Sequence, residues 1–179
     1  MNVEQTSMDG LLLITPNVFG DQRGYFLESY NKKALEQVLS ATFVQDNESS
    51  SLKGVLRGLH FQNPPNAQAK LVRVIKGRVL DVVVDLRKGS TTFGQHYKKV
   101  LCDEHKEQLY IPAGFAHGFL VLEDHTIFSY KCTSYYHPES EASLLWNDTS
   151  LGIDWQIENP IISEKDRNAM KFEDFNSPF

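Results

Sequence analysis

Leu71-Val-Arg-Val-Ile-Lys-Gly-Arg-Val-Leu-Asp-Val-Val-Val-Asp-Leu86 is the stretch from which the fold is read. Both halves are rich in β-branched residues, and they meet at Lys76-Gly77, a turn signal between two strands. In the second half Leu80, Val82, Val84 and Leu86 share one face, with Asp81 and Asp85 on the other. Gly89-Ser90 ends the run. Working outward, further strands are predicted at Tyr97–Leu101, Gln108–Ile111, Gly118–Leu122 and Thr126–Thr133, with turn residues at short, regular intervals between them. That spacing predicts an all-β sandwich or barrel. Two short helices are expected beside it. Asn31 can cap a run in which Ala34, Leu35, Val38 and Leu39 fall at helical spacing. Ser163 can cap a second over Ser163 to Asn168.

The 179 residues are read as one domain, 1–179, because a second core would need a longer chain. Hydrophobic (41 %) and charged (23 %) fractions are those of a folded protein, not a disordered one. A net charge of −5 argues against a nucleic-acid footprint, which needs a basic face. An anionic ligand must then be met by a local cluster of Arg and Lys. No apolar run is long enough for a membrane-spanning helix. Met1 to Gly10 carries Glu4 and Asp9 and does not read as a signal peptide. Cys102 and Cys132 form no C-x-x-C pair, and free thiols in a reducing cytoplasm are expected.

Several clusters carry residue types that chemistry uses. Gly54-Val-Leu-Arg-Gly-Leu-His60-Phe-Gln62 joins a cation, a histidine and an amide. A straight strand would put Arg57 and His60 on opposite faces, but Gly58 between them allows a bulge that re-aims one side chain. The bland alternative is a surface Arg and an edge-strand His. Ile111-Pro-Ala-Gly-Phe-Ala-His117-Gly-Phe119 has the P-x-G-x-x-H spacing of the second cupin segment. In metal cupins that His is a ligand alongside an H-x-H pair. Here His60 is followed by Phe61 and Gln62, so the pair is missing, and two histidines make a poor transition-metal site. No metal is expected, and His117 can equally be a packed structural residue. In Thr126-Ile-Phe-Ser-Tyr130-Lys-Cys132, alternation turns Phe128, Tyr130 and Cys132 to one face, inward. Tyr130 then reads as a core residue or, in a cavity, as a general acid. Arg23, Arg57, Lys70 and Lys165 are dispersed cations that would suit a diphosphate if the fold gathered them.

Taken in order, these segments resemble the dTDP-4-dehydrorhamnose 3,5-epimerase family along nearly the whole chain. The resemblance runs from Phe19-Gly-Asp-Gln-Arg-Gly-Tyr-Phe-Leu-Glu28 through Val44-Gln-Asp-Asn47, Gly54 to Gln62, Lys70 to Arg73, Asp81 to Arg87 and Gln108 to Phe119. It continues at Tyr130-Lys-Cys-Thr133, Trp146-Asn-Asp148 and Ile153-Asp-Trp155 and closes at Ser163-Glu-Lys-Asp166. Departures are few: Ala69 where a Gly is usual, and Thr149 and Gln156 where Pro is common. The resemblance implies a cupin-like jelly-roll barrel with a few short peripheral helices, metal-free and working as a homodimer. It implies His60 as the base at C3 and C5, Asp166 as its partner, Tyr130 as the acid on the other ring face, and Lys70 near the C4 oxygen. Arg57 and Lys165 match diphosphate contacts. Arg23, Glu28, Gln45, Asn47, His117 and Glu141 match other substrate-binding positions, and Tyr136 a stacking aromatic.

The implied reaction converts dTDP-4-dehydro-6-deoxy-D-glucose to dTDP-4-dehydro-L-rhamnose, in dTDP-L-rhamnose biosynthesis. It fits these residue types. A hydrogen beside a ketone is weakly acidic, so its removal needs a placed base and a cation at the developing oxyanion. Inversion then needs a second group on the opposite face. The carbonyl is already in the substrate, so no cofactor is expected, consistent with the lack of a G-x-G-x-x-G fingerprint. The competing readings are a C3-only epimerase or a 3,4-ketoisomerase on the same substrate and, from another class, a metal-binding or sugar-sensing cupin.

Overall fold

The structure, a computed structural model, describes Met1–Phe179. Its strands are β1 (Asn2–Gln5), β2 (Leu12–Thr15), β3 (Val18–Asp21), β4 (Gly24–Leu27), β5 (Gln45–Ser51), β6 (Leu56–Gln62), β7 (Lys70–Lys76), β8 (Arg78–Asp85), β9 (His96–Cys102), β10 (Gln108–Ile111), β11 (Phe115–Val121), β12 (Thr126–Cys132) and β13 (Glu141–Ser143). The helices are α1 (Lys32–Leu35) and α2 (Glu164–Arg167). Both have the expected caps: Asn31 accepts from Ala34 N at 3.2 Å and Ser163 from Asp166 N at 3.1 Å. α1 stops a turn earlier than the apolar spacing predicts, yet Leu35 and Leu39 are both buried against the sheet.

A six-stranded sheet runs β1-β2-β10-β7-β12-β5 and a five-stranded sheet β13-β6-β11-β8-β9, both antiparallel throughout. Their facing sides share one core, including Val72 and Phe128 from the first sheet and Val79, Val83 and Phe119 from the second. The outer face of the five-stranded sheet is covered by the C-terminal tail. Leu56, Leu59, Leu80, Val82 and Val84 there meet Leu151 and Trp155. The outer face of the six-stranded sheet is covered in part by α1.

This arrangement is all-β and cupin-like, but the expected barrel does not form. No strand of one sheet pairs with a strand of the other, so edges remain at β1 and β5 and at β13 and β9. The sheets meet through side chains, as in a sandwich. Alternation and turn spacing look the same in both architectures. They report which way side chains face and carry nothing about whether the end strands bond to each other.

β8 also differs from its sequence pattern. The face bearing Asp81 and Asp85 is buried, with neither residue exposed. Asp85 lies shallowly, beneath the guanidinium of Arg87, which bonds both its oxygens at 2.9 and 2.7 Å. Ser90 and Thr92 hydroxyls add bonds at 2.6 and 2.7 Å. Burial would raise its pKa, but these donors outweigh it and hold the carboxyl at about 2, against an ordinary 3.8. A depressed pKa contributes stability above the unfolded value and loses it as pH falls through the folded one. Asp85 should therefore stabilise the fold by about 2 kcal/mol at neutral pH. Asp85→Asn should lower the neutral-pH melting temperature and remove that much of the stability lost between pH 4 and 2, measured by denaturant titration at each pH.

Candidate active site

The shape of β6 depends on Gly58. Leu56, Leu59 and Phe61 all point into the tail-covered core. A regular strand would split Leu56 and Leu59 between faces, since their separation is odd. The register accounts for the difference: His60 pairs with His117 but Arg57 with Phe119, so the ladder shifts between them. This is the bulge that Gly58 allows in the sequence. Gly58 occupies it at φ +126°, where an added Cβ would lie 2.4 Å from Gly118 Cα and 2.8 Å from His117 O. The side chains of Arg57, His60 and Gln62 are thereby turned toward the six-stranded sheet.

His60 and Gln62 line a cavity of about 220 Å³. The six-stranded sheet contributes Gln45 and Asn47 from β5, Lys70 from β7, and Tyr130 and Cys132 from β12. Glu141 enters from β13, and Gln68 and Tyr136 from connecting segments. The cavity lies beside β5 and β13, at the edges where the two sheets remain unjoined.

His60 Nε2 lies 2.5 Å from Asp166 Oδ1. α2 carries Asp166, whose side chain is 4 % exposed. Burial pushes its carboxyl up. Bonds from His60, Ser163 and the Gly58 N–H outweigh that and leave it below the ordinary value. An ionised carboxylate only accepts, so the shared proton sits on Nε2 and Nδ1 keeps a free lone pair. Lys70 Nζ donates to His60 O at 3.4 Å. The residue keeps some surface toward the cavity, but its ammonium is set deep among protein atoms. Desolvation lowers its pKa, opposed by Cys132, Asp81 and Glu141. One long hydrogen bond leaves this ammonium donors for an oxygen entering the cavity.

Tyr130 faces this pair from the other sheet. Burial is the main cause that raises its phenol pKa, with Cys132 adding and Arg57 opposing, so it stays protonated at neutral pH. Burial likewise raises the Cys132 thiol, which accepts from Asn47 at 3.6 Å. Glu141 pairs with Lys165 and accepts from Tyr136 Oη at 2.7 Å. Burial pushes the Glu141 carboxyl up, and Lys165 and Tyr136 together bring it below its ordinary value.

The remaining predicted residues lie outside the lining. His117 is buried behind the cavity, Nε2 at 2.9 Å from Asp81 Oδ2, with its ring stacked on Phe128. Arg57 donates to Ser51 Oγ at 3.1 Å and is near enough to Tyr130 to lower its pKa. Arg23 and Glu28 are not brought to this cavity. Arg23 pairs with Asp21 in the β3–β4 hairpin, and Glu28 accepts from Asn31. Gln62, Gln68 and Cys132 line the cavity without having been predicted to bind. Alternation could have found two of them, since Gln62 follows His60, and Cys132 follows Tyr130, by two strand positions. Gln68 lies outside any strand and had no such signal.

Comparison with known proteins follows the same lines. Residues 5–174 match the family model described as dTDP-4-dehydrorhamnose 3,5-epimerase. The chain is 51 % identical over 176 residues to the dTDP-4-dehydrorhamnose 3,5-epimerase of Shigella flexneri, covering 97 % of each. The crystal structure of the enzyme of that name from Elizabethkingia anophelis superposes with a TM-score of 0.92 at 51 % identity, covering 97 % of both chains. A Legionella pneumophila dTDP-6-deoxy-D-glucose-3,5-epimerase, solved in complex with dTDP-4-keto-L-rhamnose, has a TM-score of 0.92 at 48 % identity, covering 96 % of this chain and 93 % of that one.

Gly58 gives a direct test of how the site is aimed. A Cβ at this position meets backbone on β11, which cannot rotate away, so Gly58→Ala must move β6. A shift of about 1 Å at the reacting group can cost ~10²-fold. Gly58→Ala should lower kcat/KM by at least ~10²-fold in a variant whose circular dichroism still shows the sheet-rich fold.

Proposed function

Because this chain belongs to the dTDP-4-dehydrorhamnose 3,5-epimerase family, we propose that it divides the family's reaction between a base on one sheet and an acid on the other. It is a cofactor-independent carbohydrate epimerase acting on dTDP-4-keto-6-deoxyglucose in dTDP-L-rhamnose biosynthesis. The observation that carries the division is the placement of His60 on the five-stranded sheet and Tyr130 on the six-stranded sheet, with one cavity touching both.

His60 Nδ1 removes the proton at C3 and, in turn, at C5. The electron pair moves onto the C4 oxygen, where Lys70 stabilises the enolate. Asp166 holds the tautomer and offsets the imidazolium charge, as a carboxylate does for other catalytic histidines. Tyr130 delivers a proton to the opposite face of the carbon. The imidazolium then returns its proton to solvent and the phenolate takes one back, which resets the site. Arg57 and Lys165 hold the diphosphate at the rim. Gln45, Asn47 and Glu141 serve the sugar and nucleotide, and Tyr136 stacks on the substrate. His117 supports the site from behind, through Asp81.

Residues 1–179 act as one domain in this reading, and the enzyme works as a homodimer. Arg23 and Glu28 match substrate-binding positions yet sit away from their own protomer's cavity, so a second copy must bring them. Their hairpin exposes Phe19 (62 %) and Phe26 (66 %), apolar surface that a partner can cover. A cytoplasmic location fits the two free cysteines. No helix is long and apolar enough to cross a membrane.

Deuterium exchange tests the division of labour. In deuterated water the enzyme should place deuterium at both C3 and C5. His60→Asn should lower exchange at both carbons by ~10²–10⁴-fold while leaving nucleotide binding intact. Tyr130→Phe should slow net inversion by ~10²-fold or more, with exchange surviving better than inversion. Near-normal exchange in His60→Asn would move the base elsewhere. For assembly, sedimentation should give a dimer, and Phe26→Glu should shift it toward monomer with loss of activity; an active wild-type monomer at assay concentration would reject the shared site.

A further inference from the structure

Ser134–His137 belong to no helix or strand, although Tyr136 stands at the cavity rim. A segment without a ladder must find partners for its backbone elsewhere. Here they are glutamines. Gln68 Nε2 donates to Ser134 O at 2.7 Å and Gln62 Nε2 to Tyr135 O at 3.2 Å. Tyr136 N donates to Gln45 Oε1 at 2.9 Å and His137 N to Gln62 Oε1 at 2.8 Å. One backbone group of each successive residue is thus held by a carboxamide, and all three glutamines line the cavity. Gln62 is 4 % exposed, and its second Nε2 bond, 2.6 Å to Asn66 O, leaves its amide committed entirely to backbone. Gln45 spends its Nε2 on Asn47 at 3.1 Å.

The structure assigns to Gln45, Gln62 and Gln68 a shared positioning role: they clamp the backbone of residues 134–137 so that the Tyr136 ring is in place before substrate arrives. The role rests on the reading of Tyr136 as a substrate-stacking residue given above. The three glutamines come from β5, β6 and the segment before β7, so the clamp ties the segment to both sheets across the unjoined edge. Glu141 fixes the far end of the ring through Tyr136 Oη. A ring fixed at backbone and hydroxyl has little freedom left to lose on binding. An unclamped one would have to be ordered by the substrate, at a cost that appears in affinity. His60 and Tyr130 are carried by β6 and β12, so the chemistry does not depend on this segment.

The test uses Gln68→Met and Gln62→Met in the full-length enzyme, each keeping side-chain length while removing the amide. Gln68 is half-buried, so its variant stands if the buried Gln62 variant fails to fold. Amide exchange at Tyr136 and His137, followed by NMR without substrate, should accelerate in either variant. KM should rise about tenfold, the scale of ordering one side chain, with kcat within about twofold. In a Tyr136→Ala background, which should itself raise KM, neither glutamine change should raise it further. Unchanged amide exchange would overturn the clamp outright. Faster exchange with an unchanged KM, or a full additional KM effect without the Tyr136 ring, would overturn its role in binding. If Tyr136→Ala alone leaves KM unchanged, the stacking reading itself fails and the binding role falls with it, while the exchange data still report whether the clamp exists.

Discussion

The contact between Gly58 and Gly118 is the constraint on which the site depends. Two adjacent strands come so close there that neither residue has room for a Cβ without displacing backbone. The close approach accommodates the extra residue in β6 and turns its later half over. Leu59 and Phe61 can then join Leu56 beneath the tail, while His60 and Gln62 reach the cavity. The tail packs on those same apolar residues, and α2 within it delivers Asp166 to His60 and Lys165 to Glu141. A regular β6 would turn either Leu56 away from the tail or His60 away from the cavity.

The second organising fact is that the sheets do not close. β5 and β13 end their respective sheets, and the cavity occupies the gap beside them. Closing the barrel would place strand-to-strand hydrogen bonds where the cavity now lies. An unclosed edge carries its own cost, because irregular backbone there needs partners. The glutamines bound to residues 134–137 supply them. The placement of His60 and Tyr130 on opposite sides of the cavity follows from the same architecture, since the two sheets face each other.

Charge in the interior is managed by pairing. Asp166 and Asp81 each meet a histidine, and Asp85 meets an arginine and two hydroxyls. Asp81 Oδ1 has no hydrogen-bond partner, and the charge of this residue reaches Lys70 and supports its protonated form. The ammonium thus has a negative charge behind it and few donors committed, which suits it to meet an oxyanion in front.

Unlike β1 to β5 and β13, strands β7 to β12, both helix caps, the inward face of Tyr130 and Cys132 and the room for a bulge at Gly58 were legible in the sequence. Each follows from local rules: alternation at a period of two, capping chemistry, and the freedom of glycine. Motif order along the chain identified the family and so the reaction. Tertiary structure alone decided the rest. Alternation could not say that the acidic face of β8 is interior, because burial of that face depends on how the two sheets pack. Nor could it say whether the end strands join, since edge pairing leaves no mark on side-chain period. Arg23 and Glu28 matched binding positions in sequence, yet the fold carries them away from their own cavity on a hairpin. The convergence of Gln45, Gln62 and Gln68 on one irregular segment was equally invisible, because backbone hydrogen bonding across long sequence separations is set by packing and by no local pattern of residue types.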